Sequence, residues 1–351
     1  MSTPLELTIG TYTRGRDSEL AIFRAWVEAD GSAIGTRGAI AVTPTVDPTW
    51  VVFSDDGRYV YAACEGDEGA VAALEMSPAG ELSLLNIQPT GGAETCHVAV
   101  VNGGTHLVAA NYTSGSVSVH PILPDGTLGG RTCLVQHEGS GPDPDRQAGP
   151  HAHMIAEDPS GRVVFAVDLG TDTLYGYALD AATGTLTETS RTVLRPGFGP
   201  RHLAFHPNGE VVYVLGELGF EVAVCAYDAA AGSLTVVSTL PVIEDGEPGT
   251  DYPSGIRVAP DGRFLYAAVR GRDKLLTFAL PDPRKPELVS TVATGGSWPR
   301  DMVLSPDGTL LFSANQLSNE LVVFRLDPLN GVPRATGARL AIPAPACVLM
   351  R

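Results

Sequence analysis

The chain has 351 residues and a formal net charge of −17, with 44% apolar residues, 40 glycines and 27 prolines. This acidic balance argues against a nucleic-acid or anionic-membrane partner, because either would be met by a basic surface. No apolar run approaches the roughly 20 residues that cross a bilayer, and the N-terminus does not resemble a signal peptide, so we expect a cytoplasmic protein. Five cysteines without metal-ligand spacing predict buried thiols rather than disulfides.

A short apolar segment followed by a turn with glycine recurs along the chain. The glycine can take the positive φ that a tight reversal requires, and a β-rich segment follows each turn. The turns begin about 46 to 57 residues apart, which suits the four-stranded blade of a propeller. The six copies are Ser54–Gly57, Asn102–Gly103, Pro159–Gly161, Pro207–Gly209, Pro260–Gly262 and Pro306–Gly308.

The two ends of the chain supply the parts of one further repeat. The segment Leu5–Phe23 resembles a unit without its first strand, and Pro345–Met350 resembles that missing strand. Pairing them would close the ring and remove open sheet edges. The sequence therefore predicts an all-β fold, a seven-bladed β-propeller with four-stranded antiparallel blades, formed by a single domain over residues 1–351.

Equivalent positions of the blades are expected to form rings around one mouth of the central channel. The start of each inner strand and the end of the second strand should lie on the same face, because the two strands are antiparallel. The first ring contains Thr49, Cys96, His153, Arg201, Ser254, Arg300 and Ala346. The second ring contains Thr11, Glu65, Tyr112, Leu169, Glu217, Arg270 and Gln316, with Asn111, Asp168 and Asn315 one residue earlier.

Several members of these rings suit acid–base chemistry on an anionic substrate. An imidazole, a carboxylate and guanidinium groups that converge at a channel mouth can move protons and hold negative charge. The predicted catalytic residues are His153, Arg201, Glu217 and Arg270. The predicted substrate-binding residues are Arg300, Asn111, Asn315, Gln316 and His151. The alternative is that charged residues at strand ends only pair neighbouring blades.

The stretch GPHAHM at residues 149–154 places two histidines, His151 and His153, two residues apart. Such a pair can bind zinc from a strand, because alternate side chains face the same way. A third ligand is not evident, since the other candidate histidines lie in different repeats, at His97, His202 and His206. We therefore expect neither a metal nor a cofactor.

The connection Gln136–Gln147 is longer than the joining of two blades requires, and it leads directly into the two histidines. Long connections on a rigid scaffold often carry function. Two interpretations remain open for this segment: a lid or wall of the site, or a solvated insertion.

Short motifs follow one another in a fixed order along nearly the whole chain: Gly10–Thr13, Ala110–Tyr112, Gly149–His153, Asp168–Gly170, Gly199–His202, Gly216–Leu218, Val269–Gly271, Trp298–Arg300 and Ala314–Gln316. This series resembles the β-propeller lactonase family, which includes cycloisomerase-type 6-phosphogluconolactonases and carboxymuconate lactonizing enzymes. The resemblance implies a metal-free site whose His, Arg, Glu and Arg fall on His153, Arg201, Glu217 and Arg270. One departure is Val269, where the family commonly has Asn.

The resemblance implies hydrolysis of a sugar-acid lactone, above all of 6-phosphogluconolactone to 6-phosphogluconate. Hydrolysis needs an activated water, a stabiliser for the oxyanion and a proton for the leaving alkoxide. We expect Glu217 as base and His153 as proton donor, or the two roles exchanged, with Arg201 and Arg270 holding negative charge. Two alternatives are a muconate-type lactonizing cycloisomerase and a non-catalytic interaction platform. The expected partner is a small anionic lactone, and the expected state is a monomer.

Overall fold

The computed structural model describes residues 4–14, 20–41, 47–243, 245–247 and 249–350. Every regular element in this part of the chain is a strand, and the strands form seven four-stranded antiparallel sheets. Inner strands of successive sheets contact one another around a closed ring. Among these residues no helix has the length and apolar character needed to cross a membrane. The predicted seven-bladed β-propeller is confirmed.

Each sheet is one blade, and within a blade the strands run from the channel outwards in the order given. The chain begins in the closing blade, blade 7, with β1 (Leu5–Thr11), β2 (Leu20–Val27) and β3 (Ile34–Ala41). Blade 1 follows with β4 (Pro48–Phe53), β5 (Tyr59–Cys64), β6 (Ala70–Met76) and β7 (Leu82–Pro89). Blade 2 contains β8 (Thr95–Val101), β9 (His106–Asn111), β10 (Ser116–Pro121) and β11 (Cys133–Gln136). Blade 3 contains β12 (Ala152–Glu157), β13 (Val164–Asp168), β14 (Thr173–Asp180) and β15 (Thr185–Val193).

The second half of the ring repeats this arrangement. Blade 4 contains β16 (Pro200–Phe205), β17 (Val211–Gly216), β18 (Glu221–Asp228) and β19 (Ser233–Pro241). Blade 5 contains β20 (Tyr252–Val258), β21 (Phe264–Arg270), β22 (Lys274–Ala279) and β23 (Glu287–Ala293). Blade 6 contains β24 (Pro299–Leu304), β25 (Leu310–Asn315), β26 (Glu320–Leu326) and β27 (Pro333–Ala341). The last strand, β28 (Pro345–Met350), returns to blade 7.

The ends of the chain close the ring as predicted. β28 is the innermost strand of blade 7 and pairs antiparallel with β1, so that Ile9 lies opposite Val348 and Leu7 opposite Met350. This pairing joins the first and last strands of the chain in one sheet. The closure therefore leaves no unpaired inner strand at the junction, where an open edge would invite association with another chain.

The turn between β12 and β13 shows how a short polar sequence reverses the chain. The carboxylate of Asp158 accepts hydrogen bonds from the backbone N–H groups of Arg162 and Val163, both at 2.8 Å. Gly161 has φ +70° and donates its N–H to the Asp158 carbonyl at 2.9 Å. Glycine takes this left-handed conformation without steric cost. The predicted turn at Pro159–Gly161 is confirmed.

The hydrophobic core is divided into layers between adjacent blades. In the layer between blades 3 and 4, Phe165 of β13 packs with Leu203, Val214 and Tyr227 of the next blade, and Phe198 of the connection joins them. The second strand β13 is buried along its whole length, whereas the outer strand β15 is mostly exposed. All five cysteines are free thiols; four of them are buried as predicted, whereas Cys133 is only partly buried. This packing holds the inner strand ends in fixed positions around the channel mouth.

Every inner strand carries a β-bulge near its start. The pairing register shifts there in all seven blades, and the same repeat position is left unpaired each time. An extra residue of this kind bends the strand and redirects its side chain. The unpaired residues are Thr49, Cys96, His153, Arg201, Ser254 (with Gly255), Arg300 and Ala346. The first ring predicted from the sequence is therefore a ring of bulged residues.

Candidate active site

A cavity of about 320 Å³ lies where bulged residues and second-strand ends of several blades meet. This volume is at the lower end of the range for small-molecule sites. Larger cavities, of about 510 and 810 Å³, lie between the outer parts of neighbouring blades and are lined by none of the predicted site residues. The walls of the mouth cavity are Tyr12, Glu65, Glu94, Cys96, Tyr112, Arg146, His153, Glu217, Arg270 and Arg300.

Glu217 is the centre of the charge network at this cavity. It follows β17, its backbone N–H donates to the Gly199 carbonyl at 2.8 Å, and its side chain is 3% exposed. Its Oε2 lies 2.6 Å from Arg270 Nη2 and 3.1 Å from Arg201 Nε. Its Oε1 lies 2.6 Å from Arg146 Nη2. Three guanidinium groups from three different parts of the chain thus surround one carboxylate.

The charge state of Glu217 follows from this surrounding. Burial by itself raises the pKa of a carboxyl group, but Arg270, Arg201 and Arg146 together hold the pKa of Glu217 well below its ordinary value. The side chain is consequently an ionised carboxylate at neutral pH. It can balance positive charge in the cavity throughout the physiological range.

Arg201 is buried behind the cavity wall and pairs with this carboxylate. Its side chain is 3% exposed, and its Nη1 donates a hydrogen bond to the Ser254 carbonyl. Burial lowers the pKa of Arg201 to about 9, assisted by the like charge of Arg270 and opposed by Glu217. Arg201 contacts Glu217 without being part of the cavity wall.

Arg270 lies at the cavity wall next to two aromatic side chains. Its guanidinium carbon lies 5.3 Å from the ring centre of Tyr252 and 5.5 Å from that of Trp298, and its Nε donates to the Tyr252 carbonyl at 3.2 Å. Such cation–π contacts orient a guanidinium plane. The preceding Val269 is buried in the core between blades 4 and 5, so that position offers the cavity no polar group.

His153 lines the cavity as a neutral imidazole. Its ring centre lies 5.5 Å from that of Tyr112 and 5.4 Å from that of His202. Its Nδ1 is buried and has no hydrogen-bond partner among the described residues. Burial, together with the positive charge of Arg201, holds the pKa of His153 well below its usual 6.5, although Glu217 opposes this shift. The ring is therefore available as a proton acceptor at neutral pH.

Arg300 also lines the cavity, and no described carboxylate lies within hydrogen-bond distance of its guanidinium group. Its guanidinium carbon lies 4.8 Å from the ring centre of Tyr12, and its nearest described carboxylate oxygen, Glu65 Oε1, is 3.9 Å from Nη2. That carboxylate instead accepts hydrogen bonds from Tyr12 Oη, at 3.0 and 3.1 Å, and from Thr49 Oγ1, at 2.7 Å. Arg300 is thus placed to bind an anion in the cavity.

The other predicted substrate-binding residues lie outside the cavity wall. Asn111 is buried and bonded to Thr95 and Ser116 of its own blade, and Asn315 is bonded to Ser313 and the Thr294 carbonyl. The cavity wall also does not include Gln316 and His151.

His151 nevertheless orients a wall residue. Its ring stacks on Tyr112 with 4.6 Å between ring centres, and its Nδ1 lies 2.9 Å from the Tyr112 carbonyl oxygen. His151 and His153 therefore have different partners. In the described part of the chain, no group of three or more His, Cys, Asp and Glu side chains is arranged to hold a metal ion.

Sequence reasoning did not select Arg146, Tyr12 or Glu94 as site residues. Arg146 belongs to the long connection before β12, and its contact with Glu217 makes that connection a wall of the site. The only signal in the sequence was a cation in an unusually long connection. In blade 7 the residue that lines the cavity is Tyr12, whereas the sequence placed its neighbour Thr11 in the second ring. The predicted position was therefore wrong by one residue in this blade.

Comparison with known proteins identifies the family. A family model described as a lactonase with a seven-bladed β-propeller matches residues 6–350. The chain belongs to this lactonase family. It is 35% identical over 344 residues to the 6-phosphogluconolactonase of Bacillus subtilis (strain 168), covering 97% of this chain and 96% of that one.

Solved structures agree with this membership of the lactonase family. A Bacteroides fragilis protein, solved as a candidate 6-phosphogluconolactonase, has a TM-score of 0.92 and 28% identity, covering 100% of this chain and 98% of that one. The periplasmic gluconolactonase of Pseudomonas aeruginosa has a TM-score of 0.91 and 29% identity, with 99% of each chain covered. The protein is a lactonase-family enzyme with a small-molecule lactone substrate, and the interaction-platform alternative has no support.

Proposed function

We propose that this lactonase hydrolyses an anionic sugar-acid lactone, with 6-phosphogluconolactone as the first candidate. The observation that carries the proposal is the presence in one cavity of an ionised carboxylate, Glu217, and a neutral imidazole, His153, next to guanidinium groups. Relatives named 6-phosphogluconolactonase support the choice of substrate.

The electrostatics favours His153 as the base, the exchanged form of the roles expected from the sequence. Both carboxylate oxygens of Glu217 are engaged by guanidinium groups, whereas the imidazole of His153 is neutral and its Nδ1 has no hydrogen-bond partner among the described residues. His153 takes a proton from water as the water oxygen attacks the lactone carbonyl carbon. The bond from that carbon to the ring oxygen then breaks, and the imidazolium returns its proton to the leaving alkoxide. Glu217 stabilises the imidazolium between these two steps.

The arginines supply the charge stabilisation of this reaction. Arg270, which contacts two aromatic rings, lines the cavity and suits the oxyanion that develops on the carbonyl oxygen. Arg300, which has no carboxylate within hydrogen-bond distance among the described residues, suits a phosphate or carboxylate of the substrate. Arg201 keeps the carboxylate of Glu217 in place. The catalytic set predicted from the sequence is retained in this proposal, with Arg201 acting through Glu217.

The test is the disappearance of freshly prepared 6-phosphogluconolactone near neutral pH, compared with the spontaneous opening of the lactone. Wild type should exceed the background and Glu217→Gln should approach it. A matched control is Glu221→Gln, which makes the same change in an exposed ion pair with Arg195. A wild type that equals the background overturns the proposal, and carboxymuconates then test the cycloisomerase alternative. A monomer acting in the cytoplasm remains part of the proposal, for light scattering and cell fractionation to check.

A further inference from the structure

The long connection between blades 2 and 3 is clamped at both ends by one buried carboxylate. Asp168 Oδ2 lies 2.6 Å from Nδ1 of His137, at the start of the connection. Asp168 Oδ1 accepts the backbone N–H of His151, at the end of the connection, at 2.9 Å. The connection is therefore tied down where it leaves blade 2 and where it enters blade 3, unlike a solvated insertion.

The middle of the connection is fixed next to Arg146. The buried side chain of Gln147 donates to the Leu169 carbonyl and to Asp172, both at 2.8 Å. Asp143 accepts the backbone N–H of Arg146 at 3.0 Å. The backbone at Arg146 is thus held rigidly, and the guanidinium group projects from it into the cavity.

The Arg146 side chain differs from the other two arginines on Glu217. It is 31% exposed, compared with 3% for Arg201 and 7% for Arg270. Its Nη2 is shared between Glu217 Oε1 at 2.6 Å and Tyr112 Oη at 3.1 Å. Because it is partly solvated, Arg146 can change partner by rotating its side chain without breaking a packed core.

The ion pair between Arg146 and Glu217 lies between two cavities that differ in their charged lining. Both residues line the mouth cavity of about 320 Å³ and a second cavity of about 410 Å³. The first cavity is also lined by two further arginines, Arg270 and Arg300, and two further carboxylates, Glu65 and Glu94. The second is lined by three aspartates, Asp143, Asp145 and Asp251, and Arg146 is its one cation among the described residues. A negatively charged ligand group is consequently better accommodated in the first cavity than in the second.

We propose that Arg146 determines specificity for charged lactones, an inference that rests on the proposed hydrolysis. When the substrate binds, the guanidinium group of Arg146 leaves Glu217 Oε1 and pairs with the anionic group of the substrate. The exchange needs only a side-chain rotation on a fixed backbone. It also removes one of the three cations from Glu217, which makes that carboxylate better able to stabilise the imidazolium of His153. Binding of the correct substrate thereby prepares the site for the reaction.

The experiment compares Arg146→Gln and Arg146→Lys with wild type on 6-phosphogluconolactone and on uncharged gluconolactone. Loss of a hydrogen bond to a charged group weakens binding roughly 10- to 100-fold. Arg146→Gln should lower kcat/KM for the phosphorylated lactone at least tenfold more than for the uncharged one, chiefly through KM. Arg146→Lys should restore part of this preference. The matched control is Arg195→Gln, an exposed arginine outside both cavities.

A binding measurement separates this inference from the proposed function. Calorimetric titration with inorganic phosphate should give at least tenfold weaker binding for Arg146→Gln than for wild type, with no change in Arg195→Gln. If wild type fails on both lactones but phosphate binding still depends on Arg146, the hydrolysis proposal falls and the anion site stands. Equal losses on both lactones, or phosphate binding indifferent to Arg146, would overturn the inference.

Discussion

Glu217 and Glu65 follow the second strands of blades 4 and 1, at the same repeat position, and line the same cavity. Three guanidinium groups surround Glu217, whereas the closest partners of Glu65 are the hydroxyl groups of Tyr12 and Thr49. One carboxylate is part of a charge network and the other is a hydrogen-bond acceptor that holds its neighbours. The repeat fixes where a side chain is placed, and the partners from other blades decide what it does.

The largest expected difference comes from replacing each carboxylate by its amide. Glu217→Gln leaves guanidinium groups unbalanced next to the reacting centre, and we expect kcat/KM to fall about 10²- to 10³-fold. Glu65→Gln keeps acceptors for the hydroxyl groups, so a fall of about tenfold or less is expected. Initial rates above spontaneous opening measure both. Equal losses in the two variants would show that the two carboxylates do not differ in function.

Loss of the proposed base should be nearly as severe. His153→Gln is expected to lower kcat by about 10². Since the pKa of His153 is depressed, its basic form persists into more acidic solution than that of an ordinary histidine. The rate on uncharged gluconolactone should stay constant down through pH 6.5 and decline only below it. A decline centred at or above pH 6.5 in wild type would contradict the assignment.

Acid should destabilise the folded protein, because three buried histidine rings pack against one another, namely His97, His153 and His202. The pKa values of His97, His153 and His202 are all lowered, in each case chiefly by burial. Below pH 6.5 the unfolded chain takes up protons that the folded chain does not, so folding stability falls by up to about 1.4 kcal/mol per pH unit for each histidine. Urea unfolding at pH 7.5, 6.5 and 5.5 measures the slope. The slope should be smaller in His97→Gln, and an unchanged slope would exclude that residue as a source.

The smallest effects should come from the two tyrosines. Tyr12→Phe removes the hydroxyl that holds Glu65 but keeps the ring against Arg300, and we expect a loss of about 1 kcal/mol in stability and a modest rise in KM. Tyr112→Phe removes a weaker contact with Arg146 and should change KM less. Thermal unfolding and saturation kinetics compare the variants. A larger effect in Tyr112→Phe than in Tyr12→Phe would contradict this order.

The sequence predicted the fold and much of the candidate site because repeats with one geometry place equivalent residues in one ring. His153, Arg201 and Arg300 were located in this way, and each proves to be the bulged residue of its strand. Asn111 and Asn315 were harder to place, since neighbouring residues of a strand face opposite sides. They precede the second ring by one residue and are buried within their blades.

Arg146 could not be located by the same reasoning. It lies in a connection that is longer than those between the other blades, so no equivalent position predicts where its side chain is placed. Its contact with Glu217 and the hydrogen bonds of Asp168 to His137 and His151 all join groups far apart in the sequence. Only the folded chain brings these groups together.

The ring of bulges gives the molecule seven separately variable positions. A bulged residue does not pair in the ladder, so its side chain can be exchanged while the neighbouring strands keep their register. In this one chain the position already accommodates threonine, cysteine, histidine, arginine, serine and alanine. New chemistry at the mouth can therefore arise by single substitutions that leave the architecture undisturbed, which makes the propeller an adaptable framework for different ring-opening reactions.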